Sequence, residues 1–581
     1  MASPTLPQTR KLTIIAQDPS IKVRSKRGQA QKILKAEVEI PNELFAPGPT
    51  GYRVQVFDYD ASTDTLYKPF EHNLRDEPQS GRLAPDPIRD ASDAQLLSDP
   101  RLHALNAYAI VMSTLARFEF ALGRRISWGF YSHQIRVAPH AFADANAFYS
   151  ERDQALLFGY FPAPDGKMVF SCLSHDVVAH ETTHALVDGL REHFTDPSSP
   201  EQAAFHEGFA DVVALLSVFS LTNVVDALLD LNSQGSNRIA SSKLGAASLR
   251  DSMLLGLAEQ MGTEMTGVRG HALRRSVNLK PSPDYIKQKA FLAPHRRGEI
   301  FVAAMMQAFI EVWVQRLKGM GLLTEKYLDR QRVVEEGAGA ANLLLTMSIR
   351  ALDYTPPVHL EFCDFLSAML TADRELRPDR ESKYGYRDIL LKNFKAYGMM
   401  PATKNKEPEE GVWKQLRRTL VYNQTHFESM QRDPDEVFRF IWENREALEL
   451  YQDAYSHVIS VRPCLRVAPD GFTLRETVVE FIQTLELKAS QLKALKISVP
   501  KGMPDKQDVR LYGGNTLIFD EYGRLKYNIH NRLDNATRQS RRVKFLWEYG
   551  FFDPSEAGVR RFSSMHRQRA LNFVSRRSEE W

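Results

Sequence analysis

Residues 176–190, DVVAHETTHALVDGL, place His180 and His184 four positions apart, with Glu181 directly after the first histidine. Side chains at i and i+4 share one face of a helix, with Cβ atoms about 5–6 Å apart. Both imidazoles can then reach one metal ion while Glu181 points to the adjoining side, toward a water, which is the mechanical reason for an H-E-x-x-H pattern. The plain alternative is an amphipathic helix with two histidines on its solvent face. A chain of this composition meets the pattern by accident about 3 times in 100. The choice depends on whether the rest of the chain supplies the other parts of a metal site.

A catalytic zinc takes three protein ligands and keeps a fourth position for water. The stretch FHEGFADVVALL (residues 205–216) offers the third ligand: Glu207, followed one turn later by Asp211. On one helix these carboxylates share a face. Glu207 can ligate while Asp211 accepts the outer ring N–H of a ligand histidine, and such partners matter about 10–100-fold in affinity. The competing reading, a solvated acidic face, is weakened because Asp211 opens an apolar run.

The 581 residues are too many for one compact core, so two or three domains are expected. Composition is that of an ordinary globular protein, and a formal charge of +3 gives no general argument for a nucleic-acid or membrane partner. Cys172, Cys363 and Cys464 are scattered and odd in number, which reads neither as a disulfide framework nor as a cysteine-ligated metal site. The opening MASPTLPQTRKLTIIAQDP lacks the apolar core and cleavage site of a secretory signal. The longest apolar run, residues 212–225, is interrupted by Ser217, Ser220, Thr222 and Asn223 and is too short for a bilayer. It reads as a buried core helix. The expectation is a cytoplasmic protein with no membrane partner, signal-free export being left open.

Strand-like runs KLTIIAQ, AEVEIP and YRVQVFDYD predict a β-rich region over residues 1–99. The polar, proline-bearing stretch 67–99 reads as a long surface connection. Residues 101–125 carry apolar positions at helical spacing. ALLFGYFPAPDGKMVF (155–170) reads as strand, turn and strand, with Pro164, Asp165 and Gly166 in the turn. Helical patterns dominate from 174 to 397, and the charged KNKEPEEG (404–411) is the candidate linker to a mixed α/β region over 405–581. There NTLIFDEYGRLKYNIH predicts a hairpin, with Leu517 and Phe519 alternating into a turn at Asp520 to Gly523 and Leu525, Tyr527 and Ile529 alternating out.

These pieces together resemble the thermolysin-like gluzincin metallopeptidases. SHDVVAHETTHALVD is similar to the zinc helix of that family, including Asp176 four residues before the first ligand, and HEGFADVVALL to its glutamate helix. ANAFYSERDQALLFGYF resembles the edge strand that holds substrate backbone, with Asn146, Ala147 and Phe148 at the contact positions. GHALRRSVNLKPSPDYI resembles the segment carrying a substrate-contacting arginine, matching at Arg274. PHRRGEIFVAAMMQAF resembles the piece with a catalytic histidine before a helix, here His295, and SIRALDYTPPVHLEFCDFLSAMLTAD the closing helices. The match runs in family order from about residue 100 to 380. It implies an α+β fold with an N-terminal β-rich part, a zinc peptidase catalytic unit over 100–400 whose second half is mainly helical, and an appended α/β region after 405.

The resemblance implies one Zn²⁺ per chain on His180, His184 and Glu207, with Asp211 and Asp176 supporting the ligands. It implies Glu181 as general base, His295 and Arg274 beside the oxyanion, and a peptide or protein substrate along Asn146, Ala147 and Phe148. The departures are specific. Residues 185–206 contain no tyrosine where the family keeps one for the oxyanion, and KQKAFLAPH offers no aspartate partner for His295. Val218 stands where the family's double calcium site needs a carboxylate, so that calcium pair is not expected, and the first hundred residues hold no counterpart of the long secreted pro-segment. Two alternatives stay open: a catalytically silent scaffold that binds peptides or partners, and an aminopeptidase with Glu299 as amine anchor. The arginines at 538–545 and near the C-terminus read as solvated helix faces, and LYGGN lacks the context of a phosphate loop. Oligomeric state and the role of residues 405–581 are not legible in the sequence.

Overall fold

The computed structural model describes residues 8–17, 19, 22–23, 32–43, 45–71, 86–130, 132–163, 166–196, 198–233, 237–251, 276–319, 326–377, 384–403, 410–468 and 471–552. Its architecture is α+β, as expected. Near the start, Thr9–Ile15 pairs antiparallel with Lys35–Pro41 in register from Thr9↔Pro41 to Ile15↔Lys35. Ala36, Val38 and Ile40 point into the core while Glu37 and Glu39 point out, the period-2 pattern that makes this segment a strand.

A second, five-stranded sheet is built around Ala155–Pro162. That strand runs parallel to Ile135–Phe142, which in turn runs parallel to Val54–Val56. Its other side carries Ala147–Ser150 and then Met168–Phe170, both antiparallel. The anticipated pairing over 155–170 is present, running from Tyr160↔Phe170 to Pro162↔Met168 next to the turn, with Gly166 in the left-handed region at φ 83°. Of the stretch read as a surface connection, residues 72–85 lie outside the described residues, and the described remainder holds two short helices. Within it, Pro87–Asp90 is capped by Asp86 with proline at its start, and Asp93–Ser98 carries a capping box from Ser92 and Gln95.

The helix Pro100–Leu122 is the spine of the main core, with buried side chains around most of its circumference. Asp99 caps its start, and Gly123 ends it at φ 68°. A Cβ on Gly123 would lie 2.2 Å from the Leu465 carbonyl oxygen, so this position needs glycine for conformation and for room. The helix His175–Leu190 packs on this spine, Pro200–Phe219 packs on His175–Leu190, and Pro294–Gly319 packs on Pro200–Phe219. Pro200–Phe219 and Pro294–Gly319 approach closely where glycines meet: a Cβ on Gly208 would stand 3.1 Å from the Gly298 carbonyl. Arg330–Ala351, Phe362–Leu376 and Tyr386–Ala396 complete the helical part.

The apolar run read as a core helix is the end of Pro200–Phe219 followed, after a bend of 78°, by the next helix. That bent pair, and Pro294–Gly319 alone, are long and apolar enough to cross a membrane, but 78% of the apolar window of Pro294–Gly319 is buried inside the protein.

Residues beyond the candidate linker, of which 404–409 lie outside the described residues, form a four-stranded antiparallel meander: Tyr455–Val467, Thr473–Lys488, Asp508–Phe519 and Leu525–Asn531. The predicted hairpin is there, with Phe519↔Leu525, Ile518↔Tyr527 and Thr516↔Ile529. Alternation sorts the two faces. Val478, Ile518, Tyr527 and Ile529 join the main core, while Val479, Phe481, Leu517 and Phe519 pack on the helix Pro434–Glu443. The region is appended in sequence yet shares the core of the preceding unit.

Among the core-facing strand residues are charges. Glu480 pairs with Arg191 and Arg462, each at 2.7 Å. Arg466 bridges Asp353 and Glu476, and Lys526 joins Glu375 and Glu476. Arg462 also donates to the Leu190 carbonyl at 2.9 Å, the last residue of the helix His175–Leu190. The C-terminal sheet therefore satisfies an end carbonyl of that helix and neutralises the arginine that follows it.

Candidate metal centre

The helix His175–Leu190 is buried over nearly its whole length. Two threonines, ordinarily neutral to poor inside helices, are accommodated by donating back one turn: Thr182 to the Val178 carbonyl at 2.6 Å and Thr183 to Ala179 at 2.7 Å. Helical geometry then brings His180 Nε2 and His184 Nε2 within 2.8 Å of each other, with the rings nearly perpendicular.

Glu207 comes from the next helix, Pro200–Phe219, which Ser199 caps and Pro200 begins. Its Oε2 lies 3.8 Å from His180 Nε2 and its Oε1 4.0 Å from His184 Nε2. His180, His184 and Glu207 are all buried, and their nearest ligand atoms lie within 4.8 Å of one another, so the group can hold a metal ion. The outer nitrogens fit the same use. His180 Nδ1 is 2.8 Å from Asp211 Oδ1, which places a carboxylate beside the outer nitrogen while Nε2 faces inward. His184 Nδ1 meets His206 Nδ1 at 2.7 Å, and the two rings stack. His206 did not emerge from the sequence reading; its position immediately before Glu207 was the available signal.

Asp176 does not join this group. Its carboxylate accepts from the Ser174 hydroxyl at 2.6 Å at the start of the helix, a local contact rather than support for a ligand histidine. His295 does reach the site. It is the second residue of Pro294–Gly319, half-exposed, with Nδ1 3.1 Å from Glu207 Oε2. The Gly208–Gly298 approach explains the meeting, since Glu207 and His295 lie just beside that crossing. Glu207 thus stands as a carboxylate partner for His295 where the sequence upstream offered no aspartate. Arg274 lies outside the described residues.

Glu181 is fully buried and faces the sheet: the Tyr149 N–H donates to its Oε2 at 3.1 Å. Tyr149 belongs to Ala147–Ser150, which pairs with Ala155–Pro162 along one side only. Main-chain groups of alternate residues point the same way, so Ala147 also turns its N–H and C=O toward the open edge. Asn146 precedes the strand, its carbonyl accepting from Gly159 N–H at 2.8 Å and its side chain from Ala147 N–H at 2.9 Å. Phe148 faces inward and stacks on Phe142. The Tyr149 hydroxyl donates to Asp188, one turn beyond His184, at 2.8 Å, which ties the edge strand to the histidine helix a second time. Glu299 is buried and accepts from Arg296 at 2.5 Å.

Neither a protein-family model nor a curated protein sequence matches the chain.

Proposed function

We propose that the chain is a zinc-dependent peptidase of the thermolysin-like gluzincin type that cuts within peptide chains. The observation that carries this reading is the convergence of His180, His184 and Glu207 from two helices. Glu181 is tied to an open strand edge beside them. Zn²⁺ on those three residues would supply a Lewis acid for the scissile carbonyl and an acidified water. Glu181 takes the proton of the attacking water and passes it to the leaving amine. The outward carbonyl of Ala147 accepts from an extended substrate backbone, a mode that tolerates many sequences. With Nδ1 of His295 on Glu207, a donor role toward the developing oxyanion falls to its Nε2. Asp211 and His206 hold the histidines in the tautomers that ligation requires.

The pairing of Glu299 with Arg296 favours internal cleavage, because an aminopeptidase needs an acidic anchor presented to the substrate amine. Glu181→Gln tests the assignment. It is expected to keep the wild-type zinc content in elemental analysis and to lose about 10²–10⁴-fold in hydrolysis of an end-blocked, internally quenched peptide. Undiminished hydrolysis would remove Glu181 from the base role. The double variant His180→Ala/His184→Ala is expected to lose one zinc equivalent and all chelator-sensitive cleavage. A wild-type protein that binds peptides on this edge and cuts none would instead be the silent scaffold.

A further inference from the structure

A second group of ligand-type side chains, two histidines, a cysteine and an aspartate, meets away from H-E-x-x-H in the sequence. His103 lies on the helix Pro100–Leu122, His140 on the strand Ile135–Phe142, and Cys172 in the 3₁₀ turn Ser171–Leu173 that leads into the histidine helix. Their ligand atoms all lie within 4.8 Å of one another. Exposure is 1% for each histidine and 0% for the cysteine, so the group is closed to solvent.

The hydrogen bonds around the two rings decide what sits between them. His103 Nε2 is 2.9 Å from the Leu96 carbonyl, which only accepts, so that nitrogen carries its proton. His140 Nδ1 is 2.7 Å from Asp58 Oδ2, and the His140 main-chain N–H donates to Asp58 Oδ1 at 2.8 Å, so Nδ1 is also a donor. In neutral rings the remaining nitrogens, His103 Nδ1 and His140 Nε2, then both present lone pairs, yet they face each other at 2.8 Å. Something electrophilic belongs between them: a proton, which makes one ring cationic, or a metal ion. Of the two, a metal ion also accounts for the Cys172 sulfur, which lies within 4.8 Å of the facing ligand atoms of both rings. Phe170 packs on both rings and Tyr67 on His140, an apolar surround of the kind that encloses structural metals.

We propose that His103, His140 and Cys172 form a second, structural metal centre for a soft divalent ion of the Zn²⁺ class, with Asp58 as the carboxylate that orients His140. Three protein ligands leave the fourth position of a four-coordinate ion to one small enclosed ligand such as a water. The Cys172 thiolate and the Asp58 carboxylate would neutralise a divalent charge inside the core. A cysteine ligates as the thiolate, so binding would release a proton. The centre would join the sheet, the spine helix and the turn from which the histidine helix starts. Its ligands are too far apart in sequence to form a spacing motif, and for that reason scattered cysteines read as no metal site.

The test uses the full chain and does not depend on peptidase activity. The wild type is expected to bind two zinc equivalents, and both Cys172→Ser and His180→Ala/His184→Ala to keep one. Loaded with Co²⁺, the folded wild type should show a thiolate-to-cobalt charge-transfer band in the near ultraviolet that Cys172→Ser lacks. His180, His184 and Glu207 contain no sulfur, so the band reports on the second centre alone. A cobalt-loaded wild type without that band overturns the proposal even if the variants misfold. So does a single zinc equivalent that only the double histidine variant removes. A single equivalent lost in Cys172→Ser and kept in the double variant would uphold this centre and sink the peptidase site.

Discussion

Glu480 holds one buried and one partly buried guanidinium group at once, and removing it exposes how much the histidine helix depends on the C-terminal sheet. Arg191 and Arg462 each approach its carboxylate at 2.7 Å, and the carboxylate and Arg191 are almost fully buried. The Arg462 contact is a charge-assisted hydrogen bond, worth roughly 1.5–3 kcal/mol. Removing one member of a buried ion pair while the other stays charged costs roughly 3–5 kcal/mol, which sets the scale for Arg191. Against a total stability of about 5–15 kcal/mol, Glu480→Leu should lower the urea midpoint markedly. Arg191→Met combined with Glu480→Leu should recover much of the loss, since an apolar pair is often no worse than a buried ionic one. Circular dichroism in urea measures both. A loss below about 1 kcal/mol for the single variant, the size of a solvent-exposed pair, would refute the reasoning.

Asp211→Asn and His206→Ala should each weaken zinc binding at the His180 site by about 10–100-fold, read by competition with a chromogenic chelator; wild-type affinity in both would detach them from the ligands. His359 sits between the Ser198 hydroxyl and the Tyr512 carbonyl, and burial, with Arg542 and Arg538 nearby, pushes its imidazole well below the ordinary value. The unfolded chain takes up that proton below about pH 6.5 and the folded chain does not, so stability is full above that pH and falls as pH is lowered through it. His359→Asn, which suits the positive φ of 55°, should flatten the urea-midpoint slope between about pH 7 and pH 5; an unchanged slope would exclude His359 as a source. Gly123→Ala should cost at least about 1–2 kcal/mol from the left-handed backbone alone, with the Leu465 main chain adding to it; an unchanged urea midpoint would contradict the close approach.

Local geometry explains which parts were legible in the sequence. Two histidines four apart fix their own spacing on a helix, and Glu207 with Asp211 does the same on the next, so the ligand candidates could be read without coordinates. The hairpins over 155–170 and 516–529 announced themselves by alternation around a turn. His206 was missed because its contact with His184 crosses between helices, and one-dimensional spacing carries no information about that. Asp176 was assigned a supporting role on position, but its carboxylate is engaged by the neighbouring Ser174 hydroxyl. The short helices after residue 86 had their caps in plain view, Asp86 before Pro87 and Ser92 before Gln95, but the polar composition around them pointed to a connection. The seat of the C-terminal sheet was invisible because it rests on pairs such as Arg191 with Glu480, and nothing near either residue names the other.

That pairing also orders events during synthesis. The histidine helix ends at Leu190, and the residues that complete its end, Arg462 and Glu480, are made about 290 residues later. At about 5–20 residues per second a ribosome takes roughly 15–60 s to cover that distance. Through that interval the helix bearing His180 and His184 waits with an open end and an unmatched guanidinium. Closure of the helix that carries His180 and His184 would therefore come late in translation, after most of the nascent polypeptide has left the tunnel.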